Sequence, residues 1–147
     1  MPLALKLIAR HREQKILVFH EDINACDFLF EVLRENSVQA GIYHSKMPLA
    51  RRVQTLQEYR AGKIKVLVSC RALDEGFNVP ETEIGIIAAS TATYRQRVQR
   101  LGRVLRPATD KKRAIIYSIV ASAPEIRRLA AEAEDLKEIA KAEWSRA

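Results

Sequence analysis

Five short apolar runs alternate with stretches of helical periodicity, and this alternation restricts the fold more than any other feature of the chain. The runs are Lys15–His20, Val38–Tyr43, Lys65–Ser69, Ile84–Ala88 and Arg113–Val120. Runs this short, rich in branched residues and bounded by polar or glycine-bearing stretches, read as strands. They are apolar on both faces, so both faces of the sheet need covering. A mostly parallel sheet flanked by helices on each side satisfies that need, and the predicted class is a three-layer α/β sandwich.

The intervening segments supply the helices. Pro2 to about Glu13 reads as a short helix with Leu3, Leu7 and Ile8 on its apolar stripe, either packed on the sheet or the tail of a linker. Asp22 is placed to cap a helix whose inner side carries Cys26, Phe28, Leu29, Val32 and Leu33, and Asn36-Ser37 ends it. A further helix is expected over Leu49–Arg60, stopped by Ala61-Gly62, and another over Thr93–Leu101. From Pro124 onward, Ile126, Leu129, Ala133, Leu136 and Ala140 fall at spacings of three and four, the pattern of a long C-terminal amphipathic helix. The expected organisation is an N-terminal helix or linker over 1–14, an α/β domain over 15–121 and a helical extension over 122–147.

The 147 residues make one domain's worth of chain. No apolar run approaches the ~20 residues of a membrane span, and no secretory signal opens the sequence. Cys26 and Cys70 are the only cysteines. With no sign of export, both are read as reduced thiols and the chain as intracellular. Charge is unevenly placed. Residues 95–113 hold eight Lys or Arg and one acid, Asp110, so this segment accounts for the whole net charge of +7. A positive field confined to one segment implies an anionic ligand there, a nucleotide or a nucleic acid.

Within it, Gln99-Arg100-Leu101-Gly102-Arg103-Val104-Leu105-Arg106 carries arginines at every third residue around a glycine. Each guanidinium can donate two parallel hydrogen bonds to phosphate oxygens, and a residue without a side chain lets a ligand approach closely. The order Gln-Arg-x-Gly-Arg-x-x-Arg resembles motif VI of superfamily 2 helicases and translocases. It is similar in particular to xeroderma pigmentosum group B-type DNA helicases and to the helicase part of type III restriction enzymes. Val66 to Pro80, with Gly76 and Asn78, resembles motif V. Lys15–His20 resembles motif IV, and His44-Ser45-Lys46-Met47-Pro48 with Arg52 resembles the region that follows it. Cys70 stands where DEAD-box relatives commonly carry threonine, Asn78 where they carry aspartate, and Leu49 where they carry glutamine.

The resemblance implies a RecA-like fold and the second motor domain of an ATP-dependent helicase or translocase. By that likeness, Arg103 and Arg106 are arginine fingers aimed at the γ-phosphate, and Gln99 and Arg100 orient that loop or pair with acids nearby. Gly76 and Asn78 lie beside the ribose and phosphates. Ser69, Cys70 and Arg71 face the tracked strand, and Ser45 and Arg52 serve backbone contacts. ATP and Mg2+ would be held by a first RecA-like domain, because this chain has neither a Gly-x-x-x-x-Gly-Lys-Ser/Thr loop nor an Asp-Glu-x-His motif. Alone it is expected to hydrolyse ATP negligibly and to hold no metal. Asp74-Glu75 belongs to motif V and is not a metal box. The expected partners are that first domain and nucleic acid, DNA ahead of RNA, with no membrane. The localised charge also suits a stand-alone, non-enzymatic module that binds nucleic acid or a partner protein. A dinucleotide-binding enzyme is disfavoured, since no Gly-x-Gly-x-x-Gly follows the first strand.

Overall fold

All five runs become strands of one sheet in the computed structural model, which describes residues 2–70, 82–88, 114–120 and 122–135 with the single positions 141, 143 and 145. The strands are β1 (Ile16–His20), β2 (Ala40–Tyr43), β3 (Val66–Cys70), β4 (Ile84–Ile87) and β5 (Ile115–Ser118). Their order is β2-β3-β1-β4-β5, and every pairing is parallel. The described helices are α1 (Pro2–Arg10), α2 (Ile23–Glu35), α3 (Leu49–Arg60) and α4 (Ala123–Asp135).

The pleat sorts the core into two layers. Ile16 and Val18 of β1, Val66, Val68 and Cys70 of β3, and Ile84 and Ile86 of β4 pack with Ile8 of α1 and Cys26, Leu29 and Leu33 of α2. The alternate residues Leu17, Phe19, Leu67 and Ile87 pack with Tyr59 of α3 and Leu129 of α4. So α1 and α2 cover one face, α3 and α4 the other. This is the three-layer arrangement that doubly apolar strands demand. The central strands β3, β1 and β4 are buried apart from His20 at the end of β1. β5 is not, and Ile115 is 44% exposed, as befits a strand with one neighbour in the described sheet.

Local chemistry sets the element ends. The Asp22 carboxylate accepts from the Ala25 N–H at 2.8 Å and caps α2 as expected. α3 keeps the expected bounds. Gly62 adopts φ +76, with Gly62 N–H to Tyr59 O and Lys63 N–H to Glu58 O, the pair of bonds that defines a Schellman stop. α2 ends in the same way through Ser37, a non-glycine residue at φ 58, with Val38 N–H bonded to Leu33 O. That turn consumes Val38, so β2 starts at Ala40 and not at Val38. β3 runs one residue further than expected because Cys70 pairs with His20. α4 opens on a capping box in which the Ser122 N–H donates to Glu125 Oε2 at 3.0 Å.

Two further expectations need correction. Phe28 does not face the core and is 58% exposed. The buried stripe of α2 runs through Cys26, Leu29 and Leu33; Phe28, two residues from Cys26, points away. α1 stops at Arg10, short of Glu13, and buries Ala4 and Ile8 against the sheet. The helix expected over Thr93–Leu101, and the portion of the C-terminal helix beyond Asp135, lie outside the described residues.

Gly41 of β2 fixes how closely α3 approaches. A Cβ there would run into Ile64 Cδ1 and lie 2.7 Å from Thr55 Cγ2. A side chain at that position fits only if the side chains of Ile64 and Thr55 give way.

Candidate functional site

In parallel α/β sheets the ligand-facing edge is the one at the carboxyl ends of the strands. Here that edge carries His20, Tyr43-His44-Ser45-Lys46, Cys70 and Ala88. A cleft of about 250 Å³ opens there, lined by Glu21, Asp22, Ile23, Asn24, Ser45, Lys46 and Cys70. One wall is the first turn of α2, whose N–H groups and dipole favour an anion. The opposite wall is the turn after β2, closed by Met47 N–H to His44 O at 3.1 Å, which presents exposed Ser45 and Lys46. The end of β3 lies between them.

Several bonds hold this edge in shape. The Asp22 N–H donates to His20 Nδ1 at 2.9 Å, so that nitrogen acts as an acceptor. Burial lowers the His20 pKa below its ordinary value, against an opposing pull from the Asp22 carboxylate. The thiols of Cys70 and Cys26 point at consecutive carbonyls of the β1–α2 turn, Cys70 Sγ to Glu21 O at 3.1 Å and Cys26 Sγ to His20 O at 4.0 Å. Both are free cysteines, and burial, reinforced by the nearby Cys70, pushes the Cys26 thiol far up. Cys26 is therefore a packing group and no nucleophile.

The structure divides the sequence-derived site residues. Ser45 is exposed in the cleft. Arg52 is half-buried, with its guanidinium carbon 5.8 Å from the centre of the Tyr43 ring. Cys70 is 4% exposed and meets the cleft at its floor. Ser69 is 0% exposed on the opposite pleat, and its Oγ has no hydrogen-bond partner among the described residues. In this conformation its hydroxyl therefore reaches no external strand. Arg71, Gly76, Asn78, Gln99, Arg100, Arg103 and Arg106 lie outside the described residues. The chain leaves the sheet towards them from the ends of β3 and β4, which flank β1. Two strand spacings put those exits roughly 10 Å apart.

Residues that sequence reasoning did not single out are Asp22 and Asn24 as cleft lining, Lys46 as its cation, and Asp27, whose Oδ1 lies 3.2 Å from His44 Nε2. Lys46 was legible, since it falls within the quoted His44–Pro48 stretch. The Asp27–His44 pair was not, because its members are 17 residues apart on different elements. The described lining holds the acids Glu21 and Asp22 against the single base Lys46. Among the described residues, Lys46 and the α2 terminus are the features of the cleft that favour an anion. No group of three or more His, Cys, Asp or Glu suited to a metal exists among the described residues. Nor is any described helix long and apolar enough to cross a membrane.

Residues 1–108 match the family described as the helicase conserved C-terminal domain, and the chain belongs to that family. It is 30% identical over 115 residues to the DNA 3'-5' translocase XPB2 of Sulfurisphaera tokodaii, covering 78% of this chain and 25% of that protein. It is 31% identical over 101 residues to the pre-mRNA-processing ATP-dependent RNA helicase PRP5 of Kluyveromyces lactis, covering 67% of this chain and 12% of that one. Among solved structures, the C-terminal part of the Fun30 ATPase domain superposes with a TM-score of 0.72 at 18% identity, covering 88% of this chain and 44% of the other. The chain spans about a quarter or less of the length of the relatives it matches. The likeness to motifs IV, V and VI thus has its counterpart in family membership, and the five-stranded parallel sheet is the RecA-like fold of superfamily 2 helicase C-terminal domains.

Proposed function

We propose that this chain is the second motor domain of an ATP-dependent superfamily 2 helicase or translocase. The observation that carries the reading is the family match across residues 1–108, which contains the whole of Gln99 to Arg106. In the assembled motor, a first RecA-like domain holds ATP with Mg2+, whose charge offsets that of the phosphates. The first domain supplies the ligands of that metal in this reading. Arg103 and Arg106 reach towards the γ-phosphate and stabilise charge as it develops, while Gln99 and Arg100 hold their loop. Gly76 and Asn78 border the ribose and phosphates.

Nucleic acid lies along the carboxyl edge. Ser45, Lys46 and the first turn of α2 take phosphates. Arg52 braces the turn by stacking on Tyr43. Arg71 and the backbone after Cys70 continue the track. Contacts to phosphate position a strand without reading its sequence. DNA is the preferred substrate, since an XPB-type DNA translocase is among the relatives, although an RNA helicase is as well.

ATP turnover tests the proposal. The chain alone is expected to hydrolyse ATP negligibly. Joined to a first RecA-like domain, it should turn over ATP, and Arg103→Ala should lower kcat by on the order of 10³ to 10⁵. Undiminished turnover in that variant would remove the finger role.

A further inference from the structure

The His44 ring sits at the end of β2 on the pleat that faces α2, with its side chain 9% exposed. It has one anchor. Nε2 lies 3.2 Å from Asp27 Oδ1, while Nδ1 is buried with no hydrogen-bond partner among the described residues. A carboxylate only accepts, so Nε2 carries the proton and donates. The carbonyl of the same residue receives the Met47 N–H and closes the turn that presents Ser45 and Lys46 to the cleft. A residue pinned to α2 through its ring therefore fixes the first corner of a turn whose tip faces the start of α2.

We propose that Asp27 and His44 form a positioning pair: by clamping the 44–47 turn to α2 they set the width of the cleft and the place of Lys46, and so govern affinity for a nucleic-acid phosphate backbone that neither residue touches. The inference rests on the nucleic-acid reading above. It predicts a sign that simple electrostatics does not. Removing a carboxylate near an anion site should strengthen anion binding through charge alone. Loss of the clamp should weaken it.

Four forms of the chain separate the two effects: the parent, Asp27→Ala, Asp27→Asn and Lys46→Ala. In nitrogen NMR without nucleic acid, Asp27→Ala should convert His44 from one tautomer to a mixture and speed hydrogen exchange at the Met47 amide. Asp27→Asn keeps an acceptor oxygen and should restore both. Asp27 is 52% exposed, so neither change should unfold the domain. A single-stranded oligodeoxythymidine is then titrated at several salt concentrations. Asp27→Ala should weaken binding by on the order of tenfold. Its log–log salt slope should match the parent's. Lys46→Ala should reduce the slope by about 0.7. Asp27→Asn should bind at least as well as the parent. Unchanged tautomer and exchange in Asp27→Ala overturn the clamp. Changed exchange with equal or tighter binding in Asp27→Ala overturns the link to affinity. Expected NMR changes in a chain that binds no oligonucleotide, alone or joined to a first domain, overturn the nucleic-acid reading instead.

Discussion

The two edges of the sheet treat their polar groups in opposite ways. At the amino edge, buried or half-buried polar side chains close on one another. Tyr59 Oη and Thr82 Oγ1, both fully buried, lie 2.9 Å apart. His11 bridges Gln14 and the Tyr117 hydroxyl, and Gln14 donates to Glu83. Lys15 donates to the last carbonyl of α3 and lies 5.7 Å from the centre of the Tyr59 ring. At the carboxyl edge, Ser69 Oγ and His44 Nδ1 are buried without partners among the described residues. Unmet polar groups are costly, and a protein keeps them where something other than stability decides the residue. The amino edge pairs these groups with one another; the carboxyl edge, although braced by the Asp22 and Cys70 bonds, leaves these two atoms unmet among the described residues.

Matched deletions at the two edges make the contrast measurable. Tyr59→Phe strands the Thr82 hydroxyl in the core and should destabilise the domain by about 1–3 kcal/mol in urea unfolding. A neutral result would mean that the amino edge is not the structural one. Ser69→Ala removes a hydroxyl with no partner among the described residues, and it should leave stability unchanged or raise it by up to about 1 kcal/mol. A loss above that size would reveal a partner for Ser69 and erase the contrast.

The smallest effect concerns pH. The His20 pKa is lowered on folding, so the unfolded chain binds the proton more readily. Its contribution to stability is full above about 6.5, the ordinary histidine value, and is lost as pH falls towards the folded value. His20→Gln should flatten the decline in melting temperature just below pH 6.5. The same slope in both proteins would assign the acid sensitivity elsewhere.

These edges were not equally legible in the sequence. The strands and α3 could be read because apolar runs and an Ala-Gly stop are local signals. Asp22 as a cap was equally plain. The start of β2 was misplaced because Ser37 takes a left-handed turn that glycine usually marks. Phe28 was assigned inward on composition when the period of the helix turns it out. Ser122 and Glu125 gave a capping signal that composition-based reading passed over. The cleft was harder still, for it is assembled from three strand ends and their turns, and the pairing of Asp27 with His44 exists only once β2 lies under α2. Motif likeness named Ser69 without revealing which way the pleat turns it.

Gly41 carries a consequence for any attempt to rebuild this surface. The constraint there is one of volume and takes no part in recognition. Under selection for folding alone, position 41 should stay glycine while Ser45 and Lys46 drift freely. Selection for recognition alone cannot relax it. A library that scored both traits would find in that one position an internal standard, separating variants that lost their shape from those that merely lost their ligand.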